Sequence, residues 1–282
     1  MIKKIANYLR DLRDLGQMEI SLARGAAMMN NRNIDLKNPI SWEFSGFSQN
    51  GEDGIIDILT KNLINPNRYF IEIGSADGLQ NNSSWLAVAE QYSGLMIDGN
   101  ARLIERANRL IPYQSTGIEC IQMFVNIKNV AQVKQRSLRN DPDVFSLDID
   151  GVDYYIAKAV METGLRPKIF VVEYNSAYGP ENSLTIPYKH DFSFRKEHPS
   201  GLYYGVAISA WKKLFGKFGY RFITVDSKGI NAFFVDDSAF KDTFLKSIDG
   251  KSFVENVQQL RQHGGNFSSQ FNLIKELAFT EV

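Results

Sequence analysis

The sequence predicts an α/β fold: a doubly wound sheet of seven strands, five of them parallel and two forming a terminal antiparallel hairpin, with helices added at both ends. Three observations carry this prediction. After Pro66, short apolar runs alternate with segments of helical periodicity, the pattern of βαβ units whose sheet is covered on both faces. The run Phe70-Ile71-Glu72-Ile73 breaks into Gly74-Ser75-Ala76-Asp77-Gly78, a turn of small residues at the end of an apolar strand. Farther on, the apolar runs Tyr220–Val225 and 231–235 are joined by a turn containing Ser227-Lys228-Gly229. That connection is too short for a crossover helix, so the two runs pair antiparallel.

The elements follow in order. Residues 2–29 carry Ile5, Leu9, Leu12, Leu15, Ile20 and Leu22 among charged residues, which predicts one or two amphipathic helices outside the sheet. The Asn-rich stretch 30–42, with Pro39, reads as a linker. Ser48-Gln49-Asn50-Gly51-Glu52-Asp53-Gly54 is a polar turn that feeds a helix through Ile55, Ile56, Ile58 and Leu59, with acids at its positive end. Parallel strands are predicted at Tyr69–Ile73, 94–98, 118–125, 144–149 and 169–174, and helices at 83–91, 100–110, 129–138 and 152–163. The irregular stretch 175–204 is of a length usually reserved for function, and it is the natural substrate region. A helix over 206–218 leads into the hairpin, and 253–278 reads as a polar helix broken near Gly264-Gly265. The organisation is thus an arm and linker over 1–44, a Rossmann-like sheet domain over 45–240 and a helical extension over 241–282.

Composition narrows the function classes. A chain of 282 residues accommodates one such domain with its decorations. Its 32 basic residues balance 32 acidic ones, so there is no global field to hold a polyanion, and nucleic acid is not expected as the partner. Cys120 is the only cysteine, which excludes an internal disulfide and a cysteine-rich metal site and suits a reducing cytoplasm. The sequence shows no membrane span and no cleavable leader, so a soluble, unprocessed cytoplasmic protein is expected.

The turn after the first strand is the centre of the chemistry. It departs from G-x-G-x-x-G spacing, since Ala76 and Leu79 stand where glycines would hold a pyrophosphate. Acids flank it at Glu72 and Asp77, which repel a diphosphate and attract the cationic amine of an aminoacyl group. Asp98 closes the second strand 24 residues beyond Gly74, where a carboxylate accepts both ribose hydroxyls. An adenosine-bearing ligand without phosphates accounts for both features, whereas helix initiation alone would account for Asp77 and Asp98 separately. No G-x-S-x-G elbow or P-loop is present.

The glycine turn, the acid ending strand two and the terminal hairpin together resemble class I S-adenosylmethionine-dependent methyltransferases. More narrowly, Ser48 to Gly54, Ser146-Leu147-Asp148-Ile149-Asp150-Gly151-Val152-Asp153-Tyr154, Val172-Glu173-Tyr174-Asn175 and Gly229-Ile230-Asn231-Ala232-Phe233-Phe234-Val235 resemble FkbM-like methyltransferases of surface-polysaccharide assembly, over roughly residues 45–236. The resemblance implies a cofactor, S-adenosyl-L-methionine, whose methionyl end faces Glu72, Gly74, Ser75, Asp77 and Gly78, whose ribose meets Asp98 and whose adenine edge meets Asn126. An acid is more usual than Asn126 at that place.

A second constellation lies at the ends of strands four and five, with Asp148 and Asp150 on one and Glu173 and Asn175 on the other. Oxygen ligands at neighbouring strand ends suit a hard cation, Mg2+ or Mn2+, bridging substrate hydroxyls. Metal-dependent O-methyltransferases are similar in placing an acid after strand four and an acid-amide pair after strand five; here Tyr174 splits the pair, and Gly151 stands where some of them carry lysine. The expected ligands are Asp148, Glu173 and Asn175; if no metal binds, the expected general base is Asp150 or a loop histidine, His198. The alternative for Asp150 is an N-cap with Asp153 in the first turn behind it.

The loop 175–204 carries Tyr178, Lys189, His190, Arg195, Lys196, His198, Tyr203 and Tyr204, aromatic faces for a sugar ring and a basic cluster for a phosphate, or else a solvated loop with buried tyrosines. His263 lies in the polar tail and has no assigned role. The reading is an O-methyltransferase acting on a small-molecule or saccharide hydroxyl, phosphorylated or nucleotide-linked forms included. Two alternatives stand beside it: an NAD-dependent sugar oxidoreductase, and a non-catalytic cofactor-binding or scaffolding subunit of a glycan-assembly complex. The N-terminal helix either pairs with a second copy of the chain or caps its own sheet.

Overall fold

The structure is a computed structural model that describes residues 2–115 and 117–282, without the side chains of residues 2–8, 10–11 and 112–114; Ile5 therefore lies outside the described side chains. Among the described residues, β1 (Tyr69–Ile73), β2 (Ser93–Asp98), β3 (Ile118–Gln122), β4 (Val144–Leu147) and β5 (Ile169–Glu173) run parallel. The strands β6 (Tyr220–Val225) and β7 (Asn231–Asp236) close the sheet antiparallel, in the order β3-β2-β1-β4-β5-β7-β6. The predicted fold class is the observed one. Because β1 has β2 on one side and β4 on the other, the strand order reverses there and a crevice opens beyond the carboxyl ends.

The central strands form because they are predominantly apolar and covered on both faces: every residue of β1, β4 and the first four of β5 is buried, Glu72 and Ser146 being the polar exceptions. Alternate side chains feed two cores, one per face. Ile71, Ile73, Phe145 and Phe170 pack with α5 (Ala131–Arg136), α6 (Asp153–Glu162) and α8 (Ile208–Lys217) through Val133, Ile156 and Trp211. Phe70, Met96, Val144 and Phe233 pack on the other face with α2 (Glu52–Lys61), α3 (Ser84–Val88) and α4 (Ala101–Gln114) through Ile55, Trp85 and Ile111.

The arm is one helix, α1 (Ile2–Asn30), and its second half joins that face through Met18. Gly25 permits the approach, since a Cβ there would lie 2.4 Å from the Trp85 ring. The stretch expected as a linker carries a short 3-10 turn, Pro39–Trp42, and Trp42, Phe44 and Phe47 are fully buried. These aromatic residues decide its packing; its asparagines do not.

The long loop holds a short helix, α7 (Phe194–Glu197), and the two residues Leu184–Thr185, which pair with Thr280–Glu281 from the C-terminus. After the sheet come α9 (Asp242–Ser247), unmarked in the sequence, and then α10 (Val257–His263) and α11 (Phe267–Asn272), where one broken helix was expected. No described helix is long and apolar enough to cross a membrane.

Candidate active site

The turn after β1 is shaped by contact with the end of β4. Gly74 has φ +89, and a Cβ on it would lie 1.7 Å from the Asp148 carbonyl oxygen, so only glycine lets the two strand ends meet. The Gly74 N–H donates to the Ile97 carbonyl at 2.8 Å, which ties the turn to β2. At the end of β2, Asp98 accepts the N–H groups of Ala76 (3.0 Å) and Asn100 (2.7 Å), so its carboxylate is fixed before any ligand arrives.

Beyond these ends lies a cavity of about 660 Å³ with Asp98, Leu103, Met123, Phe124, Ile149 and His190 on its walls. An acid beside an apolar slot fits an adenosine, with a carboxylate for the ribose and Phe124 and Met123 for the base. The strand expected to run to residue 125 stops at Gln122 because Met123, Phe124 and Val125 turn off the sheet to build this wall.

A second cavity, of about 510 Å³, lies over β4, β5 and β7, with Glu72, Glu173, Tyr204 and Asn231 on its walls. Gln49, Gly74, Gln80, Asp148 and Asp150 line both cavities, so the two open onto each other across the Gly74 turn and the turn after β4. A donor in one and an acceptor in the other would meet there.

That junction is acidic. Asp148, Asp150 and Glu173 offer one oxygen each within 4.8 Å of one another. Burial, and next the charge of Asp150, pushes the Asp148 carboxyl well above the usual carboxylate range; burial, and next Asp148, does the same to Glu173. Burial also raises Asp150, against the pull of Arg195. Such a trio either retains protons or takes up a cation. Its geometry is held from behind. Asp153 accepts the N–H groups of Ile149 (2.9 Å) and Gly151 (2.8 Å), which keeps Asp150 at φ +51, a left-handed conformation uncommon outside glycine. Tyr204 Oη donates to Glu173 Oε1 at 3.2 Å, and Trp211 Nε1 donates to the Glu173 carbonyl at 2.8 Å.

Solved structures with similar chain traces include S-adenosylmethionine-dependent methyltransferases. An O-methyltransferase from Bacillus cereus in complex with SAH is 14% identical, with 78% of this chain and 89% of that one covered and a TM-score of 0.44. A SAM-dependent methyltransferase from Geobacter sulfurreducens in complex with S-adenosyl-L-homocysteine is 13% identical, covers 70% of each chain and has a TM-score of 0.39. One from Aquifex aeolicus is 9% identical, with 64% of this chain and 87% of that one covered and a TM-score of 0.39. No family model and no curated protein matches the chain.

Of the residues singled out from sequence, Gly74, Asp98, Asp148, Asp150, Glu173 and Glu72 line one or both cavities. Glu72 lines the second cavity and not the first, with its carboxylate taken up by the Asn82 N–H (2.9 Å) and the Ser83 hydroxyl. Asp150 is not the helix cap, a place that falls to Val152.

Others turn away. Asp77 pairs with Arg106 at 2.5 Å instead of facing the cavity. Gly78 packs against Ile111, where a Cβ would lie 2.7 Å from that side chain, and Ser75 is fully buried behind the turn. Asn126 spends its amide on Phe124 and Lys128, so Phe124, not Asn126, reaches the cavity wall. Asn175 lines neither cavity: its oxygen accepts from Ala177 (3.1 Å) and Gln259 (3.2 Å) and its nitrogen donates to Leu202 and Tyr204, while Asp150 stands with Asp148 and Glu173 in the acidic trio. His198 closes a local turn with Ser200 at 2.8 Å, outside both cavities, while His190 lines the first.

Among the loop aromatics and cations, Tyr178 and Tyr203 are buried on backbone carbonyls, Lys189 pairs with Glu197, and Tyr204 and Arg195 reach the acceptor cavity. Sequence reasoning assigned no role to Gln49, Gln80, Asn231 or the α10 residues Gln258, Gln262 and His263, all of which line a cavity. Gln49 and Asn231 lie inside motifs that carry the family resemblance, which was the available signal; α10 offered none beyond its polarity.

Proposed function

We propose that the chain is an S-adenosyl-L-methionine-dependent O-methyltransferase. The supporting observation is the pair of cavities that open onto each other at Gly74, Asp148 and Asp150, one suited to an adenosine and the other rich in polar side chains. Asp98 would hold the ribose hydroxyls, Met123 and Phe124 the adenine, and the Gly74 turn the aminoacyl end. When bound, the cofactor supplies an electrophilic methyl group on sulfur. The protein's own work is then to align an acceptor oxygen at the junction and to remove its proton. Asp150 is placed to take that proton, because it lines both cavities and its raised proton affinity brings it toward the range a general base needs.

If the oxygen trio instead takes a hard divalent cation, Mg2+ or Mn2+, with Asp148, Asp150 and Glu173 as ligands, Asp150 no longer serves as the base, and the ion would lower the proton affinity of an acceptor hydroxyl in its place. The acceptor is a hydroxyl of a saccharide or saccharide-like metabolite, in keeping with the four motifs that resemble FkbM-like enzymes of surface-polysaccharide assembly.

Calorimetry with S-adenosylhomocysteine and with NADH tests the reading. Heat with the first and none with the second is expected; tight NADH binding with no response to S-adenosylhomocysteine refutes it. Chelation that leaves turnover intact, together with full activity of Asp148→Ala, refutes the metal.

A further inference from the structure

We infer that the acceptor cavity selects an uncharged, multiply hydroxylated molecule, and that Asn231 with the α10 carboxamides Gln258 and Gln262 is its recognition surface. The inference rests on the methyltransferase reading for the reaction but not for the binding. Its first observation is an orphaned acceptor. Asn231 is 3% exposed and stands beside Glu173 across the β5–β7 pair. Its Nδ2 donates to Glu52 Oε1 at 2.7 Å, which fixes the amide orientation because a carboxylate accepts, and its buried Oδ1 then has no donor among the described residues. A buried carbonyl left unpaired is costly, and because Asn231 lines the cavity a ligand hydroxyl that reached it would supply the missing donor.

The second observation is the stretch of wall formed by α10. Gln258 and Gln262 lie one helical turn apart on α10, both line the cavity, both are exposed, and neither side chain hydrogen-bonds to a described residue. Carboxamides offer donors as well as acceptors. A phosphate dianion only accepts and an ammonium only donates, whereas hydroxyls satisfy both walls. Charge points the same way. Glu52, Glu72, Asp148, Asp150 and Glu173 line the cavity against Arg195 and His263, and Arg195 already faces Asp150.

Saturation-transfer NMR on the full chain with Mg2+ and S-adenosylhomocysteine tests this directly, with uncharged methyl glycosides and the corresponding sugar 6-phosphates as probes. The glycosides are expected to bind, and the phosphates about tenfold more weakly. The Gln258→Ala/Gln262→Ala double variant, altered only at exposed positions, is expected to weaken glycoside binding by roughly tenfold, one or two neutral hydrogen bonds, with S-adenosylhomocysteine affinity unchanged. Asn231→Ala is expected to weaken it similarly. Phosphates binding more tightly than glycosides, a double variant that binds like the parent, or no glycoside binding while S-adenosylhomocysteine binds would each overturn the inference. Glycoside binding that is lost in the double variant, with no S-adenosylhomocysteine binding at all, would support this inference and overturn the methyltransferase reading instead.

Discussion

Gly74 has the tightest steric requirement in the site. Any Cβ there meets the Asp148 carbonyl, and the left-handed backbone adds about 1–2 kcal/mol of strain for an L-residue. Gly74→Ala is expected to destabilise the fold by more than about 2 kcal/mol in urea titrations and to abolish S-adenosylhomocysteine binding. Asp98 is different, because its carboxylate is held at the cavity wall by two backbone N–H groups and its loss opens no core. Asp98→Ala should keep its circular dichroism spectrum and lose roughly 10- to 100-fold in S-adenosylhomocysteine affinity, the weight of a charge-assisted hydrogen bond. Asp150→Asn separates binding from proton removal. It is expected to lower kcat by about 10²–10⁴-fold with cofactor affinity intact, and a variant of near-normal kcat would remove Asp150 from that role.

At the scale of elements, the arm and the cofactor turn are joined through one guanidinium. Arg106 on α4 donates to both oxygens of Asp14 on α1 (3.0 and 2.7 Å) and to Asp77 in the turn after β1. Asp14 is fully buried and would keep only the more distant Arg13 at 3.7 Å, so Arg106→Ala leaves its charge poorly paired; a loss of about 3 kcal/mol is expected, with a lowered S-adenosylhomocysteine affinity as the turn loses its brace. Denaturation and calorimetry on that variant check both halves. The elements themselves were largely legible from sequence. The central strands could be placed within a few residues, because burial on two sides demands a predominantly apolar run, which Glu72 and Ser146 each interrupt at one position only. The arm's docking was not legible, since Asp14 and Arg106 are 92 residues apart and nothing local pairs them. The same holds for α10, whose polar sequence reads as solvated until the fold sets it against the acceptor cavity.

At the scale of the whole molecule, a group of buried acids governs the response to pH. Burial pushes Asp53 and Glu72 up to about 7 and Asp226 to about 8, the last aided by Glu52. A folded-state pKa above the unfolded value of about 4 means that the folded chain holds more protons between those limits. The stability these groups contribute is therefore complete below about pH 4 and is lost as the pH rises through 7 to 8. The urea midpoint is expected to fall between pH 5 and pH 8.5, and Asp226→Asn to flatten the upper part of that slope; a midpoint that rises over this interval contradicts the assignment.

What the sequence alone determined was periodic or steric: the order of strands and helices, the glycine turn after β1, the acid ending β2 and the acids ending β4 and β5. Those features are local, because an apolar run or a glycine turn acts within a few residues of chain. The tertiary structure alone decided which oxygens share a site. It placed Asp150 beside Asp148 and Glu173, turned Asp77 toward Arg106, and brought Asn231 and α10 to the wall of the second cavity. The physical reason is that a side chain's partner is set by competition among all the donors and charges the fold brings near it. The Asn175 oxygen is engaged by the Gln259 amide 84 residues away, a contact absent from any local pattern.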